Sequence, residues 1–305
     1  MKLIGENIHI ISKRTRTAIE EKDKDYIRNL AKKQTDVDWI DLNIGPARKQ
    51  QGTMRWLIDT VREVSDKPLS FDTTNLDEIK SALQYVNTPQ KSLINSTNAD
   101  DERLNPLSDI TAEYGCCLIA LTMDNKSGIP KEADLRLEMA CKIIEKTTEA
   151  GIDNTKIFID PLVLPVCVDQ SQALESLNAI RMFKEAFDPQ VNTTIGLSNI
   201  SNGSPKELRP LINRVYLTMA SGCGLDSAIV DACDEELIRT VKMLDSSSPQ
   251  NSSDELLLNI QNMMLNFDEL ENVSYDKTND DEVRIFKTAE ILMNKHIYSH
   301  NYLDV

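Results

Sequence analysis

The sequence predicts an α/β protein, a (β/α)8 barrel of the TIM type with an inserted segment before its last helix. Eight short apolar runs recur along the chain, most of them separated by about 20 to 35 residues with helical spacing. Such runs suit strands buried on both faces of a parallel sheet, and the intervals have the length of crossover helices. The runs are residues 3–8, 39–44, 69–71, 92–94, 117–122, 157–159, 194–197 and 227–230.

Nearly every apolar run ends at a polar residue. In a barrel of this type, the chemistry collects at the carboxyl ends of the strands. We therefore expect these side chains to converge on one site. They are Glu6, Asn43, Asp72, Asn95, Thr122, Asp160, Asn199 and Asp231.

Apolar residues at helical spacing predict a helix after each strand. Asn75 is a suitable N-cap for the third of these helices, and Gly151 ends the fifth. The predicted helices span residues 18–33, 53–64, 76–86, 105–114, 133–150, 171–187, 209–222 and 235–244.

The pattern changes after Leu244. We interpret residues 1–305 as one barrel domain in which residues 245–282 are an insertion, with a last helix at 283–296 closing the outer ring. A Ser- and Asn-rich linker opens the insertion and an amphipathic piece follows. The insertion is either a mobile surface segment or a docking element for a partner or second subunit. In the second case, the docking stripe would be Leu256, Leu257, Ile260, Met263 and Met264.

Composition excludes several classes of protein. A formal charge of −15 argues against nucleic acid and anionic membranes as partners, because phosphate groups need a basic face. No apolar stretch approaches the length of a membrane span, and the first residues run directly into the first strand. We therefore expect a cytoplasmic protein without signal peptide or anchor.

The number and position of the cysteines and histidines restrict the kinds of catalytic site that the protein can have. The six cysteines lack Cys-x-x-Cys spacing, and the pair Cys116-Cys117 opens the fifth strand, at the end of the barrel away from the site. No metal site is therefore predicted. Of three histidines, only His9 could reach the site, which argues against a Ser-His-Asp catalytic triad. We therefore expect carboxylates, amides and a bound cofactor to carry out the chemistry of the site.

Three strand ends suggest what the site holds. Asp72, Asn95 and Asp160 close the third, fourth and sixth strands, so that carboxylate and amide groups face each other across the barrel mouth. Such a set suits a planar heterocycle with an N–H, NH2 and C=O edge, as in pterins and guanine-like rings. Gly196 would let a flat ring approach the backbone of the seventh strand. Taken alone, each of these Asp or Asn residues could have a purely structural role as the cap of the helix that follows its strand.

These motifs resemble the methyltetrahydrofolate:corrinoid/iron-sulfur protein methyltransferases, members of the pterin-binding barrel superfamily. The resemblance covers residues 1–244 and the last helix in order. The residues that carry it are Asp41-Leu42-Asn43-Ile44-Gly45-Pro46-Ala47, Asp72-Thr73-Thr74-Asn75, Ile94-Asn95-Ser96-Thr97-Asn98, Leu121-Thr122-Met123, Gly128-Ile129-Pro130-Lys131, Ile159-Asp160-Pro161-Leu162, Gly196-Leu197-Ser198-Asn199, Arg209-Pro210-Leu211-Ile212-Asn213-Arg214 and Asp231-Ala232-Cys233-Asp234.

The resemblance implies an SN2 transfer of a methyl group between N5 of methyltetrahydrofolate and the cobalt of a corrinoid, a cobalamin-type cofactor carried by a partner protein. It implies that Asn199 contacts N5 as the catalytic residue. It further implies a homodimer and leaves the direction open, towards acetyl-CoA synthesis with a corrinoid/iron-sulfur protein or within a demethylase system. The substrate-binding residues it implies are Glu6, Asp72, Asn95, Asp160, Gly196, Ser198 and Arg209.

Two other functions stay open at this point. A dihydropteroate synthase shares the pterin-binding barrel, but its basic Ser-Arg-Lys-type signature is absent after the seventh strand, where Ser198-Asn199 stand and the next lysine is Lys206. A non-catalytic folate-binding or scaffold protein would use the insertion to recruit partners.

Overall fold

The computed structural model describes residues 1–47 and 52–303, and its strands form a closed parallel barrel in chain order. Each strand pairs with the next, and the last pairs with the first, which confirms the predicted (β/α)8 barrel. The strands are β1 (Lys2–His9), β2 (Trp39–Gly45), β3 (Leu69–Thr73), β4 (Leu93–Thr97), β5 (Cys117–Leu121), β6 (Ile157–Asp160), β7 (Asn192–Gly196) and β8 (Ser227–Val230).

The predicted helices are present, with one correction. Residues 18–33 are not one helix, because the chain turns at Lys22, which has a φ of 58°, and Asp23 then caps a second helix through the backbone N–H of Tyr26 at 3.1 Å. The helices are α1 (Lys13–Glu20), α2 (Lys24–Lys33), α3 (Thr53–Arg62), α4 (Leu76–Tyr85), α5 (Asp101–Tyr114), α6 (Ala133–Glu149), α7 (Ser171–Ala186), α8 (Arg209–Gly222), α9 (Glu235–Ser246), α10 (Ser252–Asn266) and α11 (Asp280–Leu292).

An apolar layer fills the interior of the barrel. Ile4, Trp39, Leu93, Ile119 and Phe158 form a buried cluster of their own, separate from the core between strands and helices. The indole N–H of Trp39 is satisfied by a backbone carbonyl at 2.9 Å, and its ring meets that of Phe158 edge-on with centroids 6.0 Å apart. Polar chemistry is therefore confined to the layer above, towards the carboxyl ends of the strands.

The strand register sets the height of that polar layer. Asn43 of β2 pairs with Asp72 of β3, and Asp72 pairs with Asn95 of β4. Parallel neighbours in register present their side chains on the same side of the sheet. The three residues therefore form a row along one wall of the barrel mouth.

The cysteine pair lies where the sequence predicts. Cys116 is buried directly before β5 and Cys117 opens that strand, at the end of the barrel opposite the polar layer. Burial raises the pKa of the Cys116 thiol to about 12. Among residues 1–47 and 52–303, no group of three or more His, Cys, Asp or Glu side chains is arranged to hold a metal ion. In the same ranges, no helix has the length and apolar character needed to span a bilayer.

The segment 245–282 is part of the packed barrel. Its helix α10 lies against α8 so closely that a Cβ on Gly222 would come within 2.4 Å of the Gln261 carbonyl oxygen. Asp254 is buried at the start of α10 and forms an ion pair with Arg239 of α9 at 2.8 Å. The predicted stripe is buried as a whole: Leu256, Leu257, Ile260, Met263 and Met264. The interpretation of this stripe as a docking surface is therefore wrong, and α10 is not a loose insertion.

Two leucines of α10 test this packing. Leu256 is 2% exposed and Leu265 is 60% exposed, so the same truncation removes a buried contact in one case and a surface group in the other. We expect Leu256→Ala to lower the free energy of unfolding by about 2–5 kcal/mol, measured by urea denaturation. Leu265→Ala should change it by less than about 0.5 kcal/mol. Equal effects of the two substitutions would contradict the packing described for α10.

Candidate active site

Asp72 lies at the centre of the polar row. It follows the apolar part of β3, and the side-chain amide of Asn43 donates a hydrogen bond to its Oδ2. Asn95, its neighbour on β4, is buried. Asn43 therefore holds the carboxyl group of Asp72 in place. Its position at a strand end alone did not predict this role.

A second carboxyl group, that of Asp41, lies below the row. Asp41 is 2% exposed and accepts hydrogen bonds from Ser70 Oγ at 2.5 Å and from Asn95 Nδ2 at 3.2 Å. Its carboxyl also lies within hydrogen-bonding reach of Asp72. Burial, together with the charge of Asp72, raises the pKa of Asp41 well above its ordinary value. Asp41 therefore ionises less readily than an exposed aspartate.

Sequence reasoning did not place Asp41 in the site, although a signal for it exists. Asp41 and Asn43 are two residues apart in one strand, and side chains at that spacing point to the same side. A polar pair at this spacing in an otherwise apolar strand indicates a polar wall in the barrel interior.

The ionisation of Asp72 is balanced between opposing effects. Burial raises its pKa to about 6, against the lowering effect of hydrogen bonds with Asn43 and Asp41 and of the positive charge of Arg103. Asp72 therefore changes its charge close to neutral pH.

Arg103 of α5 is a further residue that the sequence did not reveal. Its guanidinium donates to the carbonyl oxygens of Ser96 at 2.8 Å, Thr73 at 3.1 Å and Thr74 at 3.1 Å. These carbonyls lie at the carboxyl ends of β3 and β4 or directly after them, so one side chain ties together the strand ends that carry Asp72 and Asn95. No local pattern shows that a helical arginine reaches back across two loops.

Asp160 lies on a different wall of the mouth, at the end of β6. Its Oδ1 accepts the backbone N–H of Leu162 at 2.7 Å, and its carbonyl accepts the hydroxyl of Thr122 at 3.0 Å. Burial raises the pKa of Asp160 to about 7, although the positive charge of Arg136 opposes that rise. Thr122 therefore joins two strand ends, and Asp160 offers a carboxyl group to the mouth.

Glu6 of β1 meets Ser198, which lies in the turn that follows β7. The Ser198 hydroxyl donates to Glu6 Oε1, and burial raises the pKa of Glu6. The charges of Asp231 and Asp72 add to that rise. The structure thus brings the side chains of Glu6 and Ser198 into direct contact, within reach of the charge of Asp72.

Asn199 ends a short 3-10 turn that follows β7 directly. Its side chain is exposed and makes no hydrogen bond to any residue within 1–47 and 52–303. It is therefore available to a ligand above the polar layer.

Gly196, the last residue of β7, lies beside the side chain of Asn199. Its backbone has an ordinary φ of −81°, but a Cβ at this position would lie 2.9 Å from Nδ2 of Asn199. The missing side chain therefore makes room for the Asn199 amide.

Arg209 lies at the rim of the mouth, at the start of α8. Its Nε donates to the carbonyl of Ser204 at 2.8 Å, within the loop that leads from β7 to α8. The other guanidinium N–H groups have no partner in the described ranges. The structure therefore places Arg209 beside the loop of Asn199 and shows no direct contact with Asp72 or Asn95.

Asp231 closes β8 as a capping residue. It accepts hydrogen bonds from Asn7 Nδ2 at 2.6 Å and from the backbone N–H of Cys233 at 2.9 Å.

His9 is half-buried at the end of β1, and burial lowers its pKa. The imidazole is therefore mostly neutral near pH 7.

The polar groups of the barrel mouth are suited to holding a polar ring. They are carboxyl groups that accept N–H bonds and an amide that both donates and accepts. Such donors and acceptors match the edge of a pterin ring. A parallel barrel with this polar layer is the architecture of a pterin-binding enzyme.

The comparisons with known proteins agree. Residues 13–231, more than two thirds of the chain, match the family model described as pterin binding enzyme. The chain belongs to this family.

Two characterised relatives share most of the barrel. The methylcorrinoid:tetrahydrofolate methyltransferase of Eubacterium limosum is 28% identical over 252 residues, which cover 81% of this chain and 90% of that protein. The methionine synthase of Mycobacterium leprae is 31% identical over 244 residues, which cover 75% of this chain and 20% of that protein. The chain therefore spans about a fifth of methionine synthase.

Solved structures with the same fold include dihydropteroate synthases. That of Xanthomonas albilineans, in complex with indole-2-carboxylic acid and 6-chloroguanine, superposes with a TM-score of 0.59 at 18% identity and covers 81% of this chain. At this level of identity, the likeness shows the fold alone.

The raised pKa values predict how stability depends on pH. Between about pH 4 and 7 the folded protein keeps protons on Asp72 and Asp160 that the unfolded chain has lost. The free energy of unfolding should therefore fall as the pH rises through this window, by on the order of 2–4 kcal/mol for Asp160. Denaturation at pH 5 and pH 8 measures the difference.

Asp160→Asn should remove the share of this pH dependence that comes from Asp160, since the amide does not titrate. Asp109→Asn, at an exposed position of α5, is the control and should leave it unchanged. If the wild type, Asp109→Asn and Asp160→Asn all gain stability equally from pH 5 to pH 8, the raised pKa assigned to Asp160 is contradicted.

Proposed function

We propose that this protein moves a methyl group between N5 of methyltetrahydrofolate and the cobalt of a corrinoid carried on a partner protein. The observation that carries the proposal is the polar layer at the carboxyl ends of the strands, to which β3, β4 and β6 contribute Asp72, Asn95 and Asp160, together with an unengaged Asn199 after β7. The name of the Eubacterium limosum relative, which describes transfer between methylcorrinoid and tetrahydrofolate, supports it.

In this proposal the pterin ring lies on the polar layer. Ionised Asp72 and Asp160 accept hydrogen bonds from ring N–H and NH2 groups, and Asn95 supplies one donor and one acceptor. Because Asn95 is itself held by Asp41 at 3.2 Å, its amide keeps one orientation. Glu6 and Ser198 close the wall next to β7 and contact the folate from that side.

The chemical difficulty is the leaving group. When the N5–CH3 bond breaks, the electron pair stays on N5, and the methyl group passes to cobalt as a cation equivalent. Tetrahydrofolate departs well only if N5 gains a proton or a strong hydrogen bond before or during transfer. Asn199 acts here through its amide, which hydrogen-bonds N5 and stabilises the charge that develops, while bound water brings the proton from solvent.

The other substrate sets a condition on the mouth. A corrinoid bound to another protein must bring its cobalt to the methyl group, so the top of the barrel serves as the surface for that partner. We propose a homodimer that leaves this face of each subunit open. Since SN2 transfer runs in both directions, the partner decides whether methyltetrahydrofolate is consumed or formed.

Dihydropteroate synthesis is less well supported. The solved synthases share the fold at 14–18% identity, and the basic signature of that chemistry is missing after β7. Lys206, the first lysine beyond β7, is exposed. A non-catalytic folate-binding scaffold is the other alternative, but its recruiting stripe on α10 is buried against α8.

A spectroscopic assay separates these functions. The purified protein is mixed with cob(I)alamin and methyltetrahydrofolate, and the corrinoid absorbance is followed. We expect conversion of the Co(I) spectrum to that of methylcobalamin, and the reverse change with methylcobalamin and tetrahydrofolate. Tight folate binding without a spectral change in either direction would support the scaffold and overturn the proposal.

Asn199→Ala tests the role of the amide at N5. We expect turnover to fall by about 10²- to 10³-fold, with little change in folate affinity, because the lost hydrogen bond strengthens only as charge develops. Turnover is measured in the corrinoid assay and affinity by titration calorimetry. Asn202→Ala, an exposed asparagine three residues further in the same loop, is the matched control. Unchanged turnover in Asn199→Ala would sink the assigned role.

A further inference from the structure

The segment after α11, residues 293–303, returns to the rim of the barrel mouth, and we call it the C-terminal tail. After α11, the backbone passes Gln170, which precedes α7. The Gln170 amide donates to the carbonyls of Ile291, at 3.0 Å, and His296, and its oxygen accepts the backbone N–H of Tyr298 at 2.6 Å. One side chain thus fixes the tail beside the loop that follows β6.

Tyr298 connects this tail to the next loop of the mouth. Its ring packs between His300 and Tyr302, with centroid distances of 5.8 Å to each. Its hydroxyl donates to Ser204 Oγ at 2.7 Å. Ser204 is only 2% exposed, and its carbonyl accepts the Nε of Arg209 at 2.8 Å. Ser204 therefore links Tyr298 to the Arg209 guanidinium, with one hydrogen bond at its hydroxyl and one at its backbone carbonyl.

The loop that receives this support is the one that leads from Asn199 to Arg209. It is already held on the other side by Cys167, whose thiol donates to the Asn202 carbonyl at 3.1 Å. Gly203 has a φ of +82°, and a Cβ there would lie 2.7 Å from the same sulfur. The Asn199 end follows β7 directly, whereas the Arg209 end depends on Ser204. Loss of the tail contact should therefore act on Arg209 more than on Asn199.

Arg209 is well placed to meet an anion. Its Nε is engaged, and the remaining N–H groups have no partner within residues 1–47 and 52–303. The anionic groups of a folate are the carboxylates of its glutamate part, which extends away from the pterin ring. A guanidinium binds a carboxylate through parallel N–H bonds, provided that its own orientation is fixed.

We propose that Tyr298 is a positioning residue that, through Ser204, holds Arg209 in place for the glutamate carboxylates of the folate. The proposal rests on the proposed function only in that the ligand is a folate. It gives the C-terminal tail a part in substrate affinity, although the tail lies outside the strand ends and supplies no group to the reacting atoms.

The test compares two tyrosines of the tail. Tyr298→Phe removes the hydroxyl that reaches Ser204, and Tyr302→Phe removes a hydroxyl that forms a 2.7 Å hydrogen bond with Thr288 instead. Dissociation constants for tetrahydrofolate and for a tetrahydropterin without the glutamate part are measured by titration calorimetry. We expect Tyr298→Phe to weaken tetrahydrofolate binding by about 3- to 10-fold and to leave tetrahydropterin binding unchanged. Tyr302→Phe should alter neither.

Further measurements separate positioning from general destabilisation. Ser204→Ala should reproduce the loss, and the double variant with Tyr298→Phe should lose no more than either alone. In the corrinoid assay the turnover number of Tyr298→Phe should stay within about twofold of the wild type.

The possible failures are distinct. Equal tetrahydrofolate affinities of Tyr298→Phe and Tyr302→Phe, or an equal loss with tetrahydropterin, would overturn this inference alone. A wild-type protein that binds tetrahydrofolate but transfers no methyl group would overturn the proposed function and leave this inference standing. A wild-type protein that does not bind tetrahydrofolate would overturn both.

Discussion

Two carboxyl groups, those of Asp41 and Asp72, lie close together beneath the barrel mouth, and their proximity and burial disfavour the ionisation of both at once. Asp41 is the more deeply buried of the two. Its Oδ1 accepts hydrogen bonds from Ser70 Oγ and from Asn95 Nδ2, and the second of these bonds orients the Asn95 amide. The orientation of the Asn95 amide, and with it the pattern of donors and acceptors offered to a ring, depends on this buried acid.

The surrounding structure keeps the pair in place. The register of β2, β3 and β4 brings Asn43, Asp72 and Asn95 to one height, and Arg103 ties the ends of β3 and β4 from outside. Burial makes the carboxyl groups of the mouth costly to ionise, and hydrogen bonds and the nearby cations Arg103 and Arg136 lower that cost again. The result is a site whose charge is set close to neutral pH, before any ligand is present.

Much of this could be predicted from the sequence, for a physical reason. Strands buried on both faces are short apolar runs, so their number, order and polar ends are local patterns, and Asp72, Asn95 and Asp160 follow from them. The break between α1 and α2 depended on a single turn at Lys22, which apolar spacing does not show. Arg103, Tyr298 and the stripe of α10 could not be assigned, since each acts through partners far along the chain. Asp41 was partly predictable. Its spacing from Asn43 is visible in the sequence, but its proximity to the carboxyl group of Asp72 on the next strand is not.

The apolar layer formed by Ile4, Trp39, Leu93, Ile119 and Phe158 has a kinetic consequence. Because it closes the barrel from below, both substrates of the proposed reaction share a single entrance. In that reaction the pterin ring would lie deepest, so the folate would have to enter before the corrinoid protein covers the opening and could leave only after that protein departs. Trp39 and Phe158, remote from the proposed reacting atoms, would thus impose an order of arrival and release on the proposed cycle.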